Sequence, residues 1–194
     1  MSVIRIEDIA HVRYAAPDLV AMRGFLEDFG LACFEADGRL YGRASDGRPF
    51  VHVTEPGEAR FLALGLRAAS VDDLERLAAH EGVAVSDLAD PGGGKVVRLT
   101  DPDGYVVEVI AGQAQGETAP LPADPPRNTA AASPRFRAAI RLEPSPSHVR
   151  RIGHAVLKVR DFRTSEAWYK QRFGLLTSDE VEAAKDVPLG AFMR

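Results

Sequence analysis

A short pattern occurs twice in this sequence, once near each end. The tripeptide Ile-x-His ends at His11 and again at His154, and an aspartate follows seven residues after each histidine, at Asp18 and Asp161. An internal repeat constrains the fold strongly, because each copy has to form the same supersecondary unit. We therefore expect the two ends of the chain to share one local architecture.

An amphipathic stretch follows each aspartate, at residues 19–29 and 162–173. The last residue of each stretch begins the same tripeptide, Phe-Gly-Leu, at 29–31 and 173–175. An aspartate suits the start of a helix, where its carboxylate accepts hydrogen bonds from unpaired N–H groups. The glycines, Gly30 and Gly174, suit the end of a helix, where the backbone takes a positive φ. Each copy thus predicts a strand, a capped helix and a further strand.

A weaker third copy lies between these two. Residues 61–69 are predicted to form a strand, Ser70 caps a helix at residues 71–80, and Gly82 ends that helix. Runs of β-type residues between turns follow the first helix at 33–36, 40–43 and 50–54, and the middle helix at 83–88, 96–100 and 105–111. One helix followed by three strands, given twice, predicts an α+β fold of paired βαβββ modules.

The pattern divides the chain into parts. Residues 5–112 are predicted to form an N-terminal domain of two modules, at about 5–58 and 59–112. Residues 113–150 are predicted to be a linker, because the prolines that recur there prevent a helix or a central strand. The one candidate strand within this linker is residues 139–142.

Residues 151–194 supply only the first part of a third module, which is too little to bury a stable core alone. We expect them to begin a C-terminal domain of catalytic type that is truncated in this chain. Three explanations stay open: a truncated gene product, a fragment of a longer chain, or a half-module that docks on the N-terminal domain or on another chain.

The composition excludes several classes of function. The formal net charge is −4 with both signs mixed, which gives no clustered basic face for nucleic acid. No apolar run approaches the roughly 18 residues that cross a bilayer, and the N-terminus lacks the apolar segment of a secretory signal. Cys33 is the only cysteine, so an intrachain disulfide or a Cys-rich zinc site is excluded. We expect a cytoplasmic protein that binds neither nucleic acid nor membrane.

The end of the second predicted module carries a recognisable motif. Thr-Asp-Pro-Asp-Gly at residues 100–104 is followed by a strand that contains Glu108. This turn and acid, together with paired modules that open with Ile-x-His, resemble the vicinal oxygen chelate superfamily of glyoxalases, bleomycin-resistance proteins and type I extradiol dioxygenases. The resemblance implies that paired modules form a curved, mixed, cup-shaped sheet with the metal inside. Two such domains in tandem look most like the extradiol ring-cleavage dioxygenases.

The resemblance also implies a metal site. In the extradiol enzymes two histidines and a carboxylate hold Fe(II) or Mn(II) in the C-terminal domain, and the N-terminal domain is usually metal-free. His154 matches the first histidine, on a strand predicted at residues 151–159, and the other two ligands would fall beyond the last residue. In the N-terminal domain His11 and Glu108 match two of the three ligands, and Ala63 stands at the third position. That set implies a vestigial site.

The resemblance implies three candidate functions. The first is an extradiol-type dioxygenase that, when intact, cleaves a small aromatic diol; this chain of 194 residues is then expected to be inactive, because its metal site is incomplete. The second is a non-catalytic small-molecule-binding protein of the bleomycin-resistance type. The third is a glyoxalase-type lyase or isomerase, which needs more ligands than the N-terminal domain offers. A homo-oligomer fits both the family and the exposed half-module.

Overall fold

The computed structural model describes residues 2–120, 126–137, 146–185 and 187–194. The candidate strand at residues 139–142 lies outside these described residues. The elements in chain order are β1 (Ile6–Ala16), α1 (Leu19–Phe29), β2 (Ala32–Ala36), β3 (Arg39–Arg43), β4 (His52–Pro56), β5 (Arg60–Ala68), α2 (Val71–Glu81), β6 (Ser86–Asp87), β7 (Lys95–Thr100), β8 (Val106–Ala111), α3 (Phe162–Phe173), β9 (Thr177–Ala184) and β10 (Val187–Met193). The longest helix of the described part has 12 residues, and none there is long and apolar enough to span a membrane.

Strands β1 to β8 form one mixed sheet with the order β2-β3-β4-β1-β5-β8-β7-β6. Each module pairs its first strand with its last in parallel, β1 with β4 and β5 with β8. The modules meet along β1 and β5, which run antiparallel. The two halves of the sheet therefore repeat the same strand order outwards from the centre. This arrangement confirms the predicted α+β fold of paired βαβββ modules.

The helices begin and end at residues that the sequence predicts. Asp18 accepts hydrogen bonds from the N–H groups of Val20 and Ala21, and each of the other two helices also begins with a side-chain cap. Each helix ends at a glycine in the left-handed conformation, namely Gly30, Gly82 and Gly174. The predicted bounds of α1 and α3 are confirmed, and α2 continues one residue further than predicted.

One predicted strand is much shorter in the structure. The run at residues 83–88 forms a strand only at Ser86 and Asp87, which pair with β7. The N–H of Leu88 still donates to the carbonyl of Gly94, and beyond Leu88 the chain leaves the edge of the sheet. This departure brings Asp90 to a buried position, where it becomes part of the site described below.

The strand predicted at residues 151–159 is absent, and that prediction was wrong. The segment is irregular and His154 is exposed. A strand needs neighbours that satisfy its backbone hydrogen bonds, and in the first module β1 has β4 on one side and β5 on the other. Among the described residues the third module offers neither counterpart, since α3 is followed there by β9 and β10, which pair only with each other.

Helix α3 packs against the first two modules. Tyr169 and Phe173 are buried in the largest core cluster, together with Leu74 and Leu77 of α2. The N-terminal residues also contact α3 through the backbone, for example through the N–H of Val3 and the carbonyl of Gln171, 2.9 Å apart. Helix α3 of the half-module is therefore docked on the N-terminal modules in this structure.

The turn at residues 101–104 anchors this helix. The hydroxyl of Tyr169 donates to Asp101 at 3.0 Å, and the hydroxyl of Ser165 donates to Asp103 at 3.0 Å. Asp103 also accepts from the backbone N–H and the Nε of Arg160, both at 2.9 Å. The motif that marks the end of the second module therefore also holds the start of the third.

Truncation of Phe173 tests whether α3 belongs to the core. The ring is 1% exposed, so Phe173→Ala should lower the free energy of unfolding by about 3–5 kcal/mol. Phe25→Ala is the matched control, because Phe25 also lies on a helix but is 61% exposed, and it should change stability by less than about 0.5 kcal/mol. Urea unfolding monitored by tryptophan fluorescence measures both variants. Equal effects would contradict the packing described.

Candidate functional site

The face of the sheet opposite the helices carries a cluster of charged residues. In the antiparallel pair of β1 and β5, His11 lies opposite Gly65, and Arg13 lies opposite Ala63. Gly65 in turn lies beside Glu108 of β8. Residues that lie opposite each other share a face of the sheet. The side chains of the cluster therefore emerge on one face at the junction of the two modules.

The alternate residues of the same strands face the helices. Leu64 and Leu66 of β5 and Val107 and Val109 of β8 belong to the core cluster that contains α2. Side chains alternate between the faces of a strand, so this packing fixes Glu108 on the other, concave face. The apolar core thus determines where the charged cluster points.

His11 and Glu108 contact each other directly. Nε2 of His11 lies 2.8 Å from Oε2 of Glu108, and the histidine is fully buried. The imidazole ring lies so close to Gly65 that a Cβ at that position would overlap it. The imidazole ring also contacts the ring of Phe50, with 5.1 Å between the ring centroids. Nδ1 of His11 is buried and has no hydrogen-bond partner among the described residues.

Arg13 lies at the centre of the cluster. Its Nη2 is 2.6 Å from Oδ2 of Asp90 and 3.2 Å from Oε2 of Glu108, and its Nη1 is 3.0 Å from Oε1 of Glu55. Arg13, Asp90 and Glu108 are each at most 6% exposed. Tyr41 completes this shell, because its hydroxyl donates to Asp90 at 2.8 Å. We use the name Arg13 cluster for Arg13, His11, Tyr41, Asp90 and Glu108.

The Arg13 cluster crosses the boundary between the modules. Arg13 and Tyr41 lie on strands of the first module, whereas Glu108 lies on β8 and Asp90 precedes β7 in the second. A second arginine, Arg98, donates from Nε to the remaining oxygen of Glu108 at 2.9 Å. Both carboxylate oxygens of Glu108 therefore already have cationic partners.

Electrostatics keep the three central groups ionised. Burial opposes the charge of Glu108, but its hydrogen bond with His11 and the positive charge of Arg13 outweigh burial and lower its pKa to about 2. Burial likewise opposes the charge of Asp90, and the hydrogen bond and charge of Arg13 still lower its pKa. Burial would also lower the pKa of Arg13, but its hydrogen bond with Asp90 and the charges of Glu108 and Asp90 raise it.

The residues of this face do not fit a divalent metal. The structure brings together His11 and Glu108, the two predicted ligands, but they bond to each other. The third position is Ala63, whose methyl group has no donor atom and is buried. Arg13 places a positive guanidinium within 3.2 Å of Glu108, the one carboxylate among the predicted ligands. In the described part of the chain, no three His, Cys, Asp or Glu side chains are placed to hold a metal.

His154 lies apart from any strand. It is exposed in the irregular segment before α3, and among the described residues it belongs to no group of His, Cys, Asp or Glu side chains that could hold a metal. Its assignment as a ligand therefore rests on the repeat with His11 and not on a site formed in this structure.

The sequence alone missed Arg13, Asp90 and Tyr41. Arg13 follows His11 by two residues, so the period of a strand already placed both side chains on one face. That signal was available. Asp90 lies in an irregular segment, and no local pattern indicates that it contacts residues of the first module.

No protein-family model matches the sequence, and no curated protein sequence matches it. Solved structures do share its fold, which is the vicinal-oxygen-chelate fold expected from the motifs.

A Mn(II)-bound glyoxalase from Novosphingobium aromaticivorans matches with a TM-score of 0.75 and 23% identity over 98% of this chain and 58% of the glyoxalase. A variant of homoprotocatechuate 2,3-dioxygenase from Brevibacterium fuscum matches with a TM-score of 0.77 and 17% identity over 100% of this chain and 51% of the enzyme. The enzyme of the same name from Arthrobacter globiformis matches with a TM-score of 0.73 and 19% identity, over 100% and 57%. The chain thus spans little more than half the length of these structures.

The lowered pKa of Glu108 predicts a pH dependence of stability. Its pKa falls from an ordinary 4.5 to about 2 on folding, so the stabilisation is complete above about pH 5 and is lost as the pH falls towards 2. The stability difference between the wild type and Glu108→Gln should therefore shrink by about 3 kcal/mol over that range. Urea unfolding at a series of pH values measures it.

Glu35→Gln is the control for this titration. Glu35 pairs with Arg23, but its side chain is 63% exposed. An exposed ion pair contributes less than about 1 kcal/mol, so its difference from the wild type should vary little with pH. Parallel stability curves for the wild type and Glu108→Gln would contradict the ionised state of Glu108 in the folded protein.

Proposed function

We propose that this chain is the metal-free scaffold half of an extradiol-type, ring-cleaving dioxygenase, followed by the start of its catalytic-type domain. In this proposal residues 5–112 form the scaffold, residues 113–150 the linker, and residues 151–194 open the domain that holds Fe(II) or Mn(II). The observation that carries the proposal is the closed Arg13 cluster. It occupies the place on the concave face where a metal would otherwise bind.

The order of elements supports a tandem arrangement. After the segment with His154, the third module continues with α3, β9 and β10, in the same order as α1, β2 and β3 of the first. Strands β9 and β10 pair antiparallel, as β2 and β3 do. We propose that the segment with His154 becomes a central strand when two further strands flank it, as β4 and β5 flank β1.

The solved structures support the substrate class. One variant of the Brevibacterium fuscum enzyme was solved in complex with HPCA, and the Novosphingobium aromaticivorans structure contains Mn(II). By analogy the intact protein would act on a small aromatic diol. A divalent metal would hold the adjacent oxygens of that diol, with His154 as one of three ligands. The chain of 194 residues by itself is proposed to be inactive.

A glyoxalase-type lyase or isomerase is the second candidate, because a Mn(II)-bound glyoxalase shares the fold. The non-catalytic binding protein has less support. Arg13 fills the concave face, and the cavity of about 180 Å³ lined by Ala10, Arg48 and Ile110 is below the about 300–1,000 Å³ of typical ligand sites. A cavity of about 450 Å³ reaches that range, but it is lined by Pro102, Trp168 and Arg172 beside α3 and not by the concave face. That candidate would predict micromolar ligand binding that survives EDTA.

Ring cleavage by the chain itself provides the first test. The purified protein, supplied with Fe(II) or Mn(II), dioxygen and homoprotocatechuate or catechol, should form no yellow ring-fission product. Elemental analysis after desalting should find no bound iron or manganese. Robust turnover by this chain would contradict the assignment of residues 5–112 as a metal-free scaffold and of His154 as an incomplete site.

A chimera tests the positive part of the proposal. The chain is joined after Arg194 to the remaining modules of homoprotocatechuate 2,3-dioxygenase, which supply the missing strands. The folded chimera should bind iron and cleave the diol, and His154→Ala should remove both properties. His148→Ala is the matched control, since His148 lies six residues earlier in the linker, and it should leave both unchanged. A folded chimera that keeps its iron and activity after His154→Ala would contradict the role of His154.

A further inference from the structure

We propose that Arg13 is the resident cation of the concave face and excludes divalent metals from it. Its guanidinium replaces the positive charge of a metal, and Ala63 leaves the space that the guanidinium occupies. Positions 13 and 63 together then determine whether this face holds an arginine or a metal. The inference concerns the first two modules only and does not depend on the reaction proposed above.

The strand register brings these two positions together. Arg13 lies opposite Ala63 in the antiparallel pair, and both emerge on the face that carries His11 and Glu108. Ala63 is 2% exposed and Arg13 is 6% exposed, so both side chains are closed to solvent. A histidine at position 63 would extend a ring into the volume that Arg13 now fills. The two side chains are therefore alternatives.

Charge gives the second argument. Glu108 and Asp90 are both nearly fully buried, and two buried carboxylates in one cluster require a positive partner. Arg13 supplies it with contacts of 2.6 Å to Asp90 and 3.2 Å to Glu108. A guanidinium also supplies several N–H donors in one fixed plane. Two carboxylates can therefore accept hydrogen bonds from it at the same time. A divalent cation added to this cluster would meet an existing positive charge and no free carboxylate.

The polar groups around the cluster close the same site. Tyr41 donates to Asp90 at 2.8 Å, and Arg98 donates to Glu108 at 2.9 Å. Nδ1 of His11 has no hydrogen-bond partner in the described residues, and Nε2 is held by Glu108. The contact with Glu108 therefore fixes the orientation of the His11 ring. Arg13 contacts the same carboxylate oxygen of Glu108.

The first experiment converts the face into a metal site. Co(II) is titrated into the wild type, Arg13→Ala, Ala63→His and the double variant, and binding is followed by ligand-field absorption and calorimetry. The double variant should bind Co(II) about 10–100-fold more tightly than Ala63→His alone, because the histidine becomes a ligand only when the guanidinium is absent. Any Co(II) binding by the wild type should be equally strong in Glu108→Gln, because the wild-type cluster is expected to hold no Co(II).

Three results would overturn the proposal. They are Co(II) binding to the wild type that is lost in Glu108→Gln, equal affinity of Ala63→His and the double variant, and a folded double variant with no greater affinity than the wild type. Circular dichroism establishes folding in each case.

A second experiment does not require a metal and applies if the double variant fails to fold. Arg13→Ala leaves a hole beside two carboxylates, so methylguanidinium should raise its melting temperature, whereas it should not raise that of Arg13→Met, whose side chain fills the hole. The same concentration of methylammonium should rescue Arg13→Ala less, because it lacks the planar set of donors. Absence of rescue, or equal rescue of both variants, would contradict a cation site for Arg13.

Discussion

The concave face depends on one buried contact, in which Arg13 lies between Glu108 and Asp90. The guanidinium comes from the first module and both carboxylates come from the second. None of the three groups is more than 6% exposed, so each would be costly to leave without a partner. A buried ion pair of this kind is not in itself strong evidence of stability, because the desolvation of the charges offsets their attraction. What it does provide is specificity, since only the observed register of β1 against β5 brings the charges together.

The helices and the third module add a second layer of constraint. Apolar residues of β5 and β8 pack against α2 on the convex side, which leaves Glu108 and Arg13 facing the other way. Helix α3 extends the same core through Tyr169 and Phe173 and bonds to the turn at residues 101–104. The third module is therefore joined to the first two by core packing, and the proposed linker is not the only connection between them.

Much of the fold could be predicted from the sequence, because its signals are local. Asp18, Ser70 and the three terminal glycines mark the helix ends by the chemistry of unpaired N–H groups and positive φ. The paired modules could be predicted because the pattern of one helix followed by three strands occurs twice in the first 112 residues. The strand at His154 was wrongly predicted, because alternation in a sequence does not supply the neighbouring strands that a central strand requires. The Arg13 cluster escaped prediction in part because Asp90 contacts residues far away in the sequence from an irregular segment.

The central claim, that Arg13 is held by the two buried carboxylates, is tested most directly by a double-mutant cycle. The free energy of unfolding is measured in urea for Arg13→Met in the wild type and in a background that carries Asp90→Asn and Glu108→Gln. We expect the substitution to cost about 3–5 kcal/mol in the wild type, where it removes the guanidinium that the two buried carboxylates share, and less than about 1 kcal/mol in the neutral background. An equal cost in both backgrounds would contradict the account.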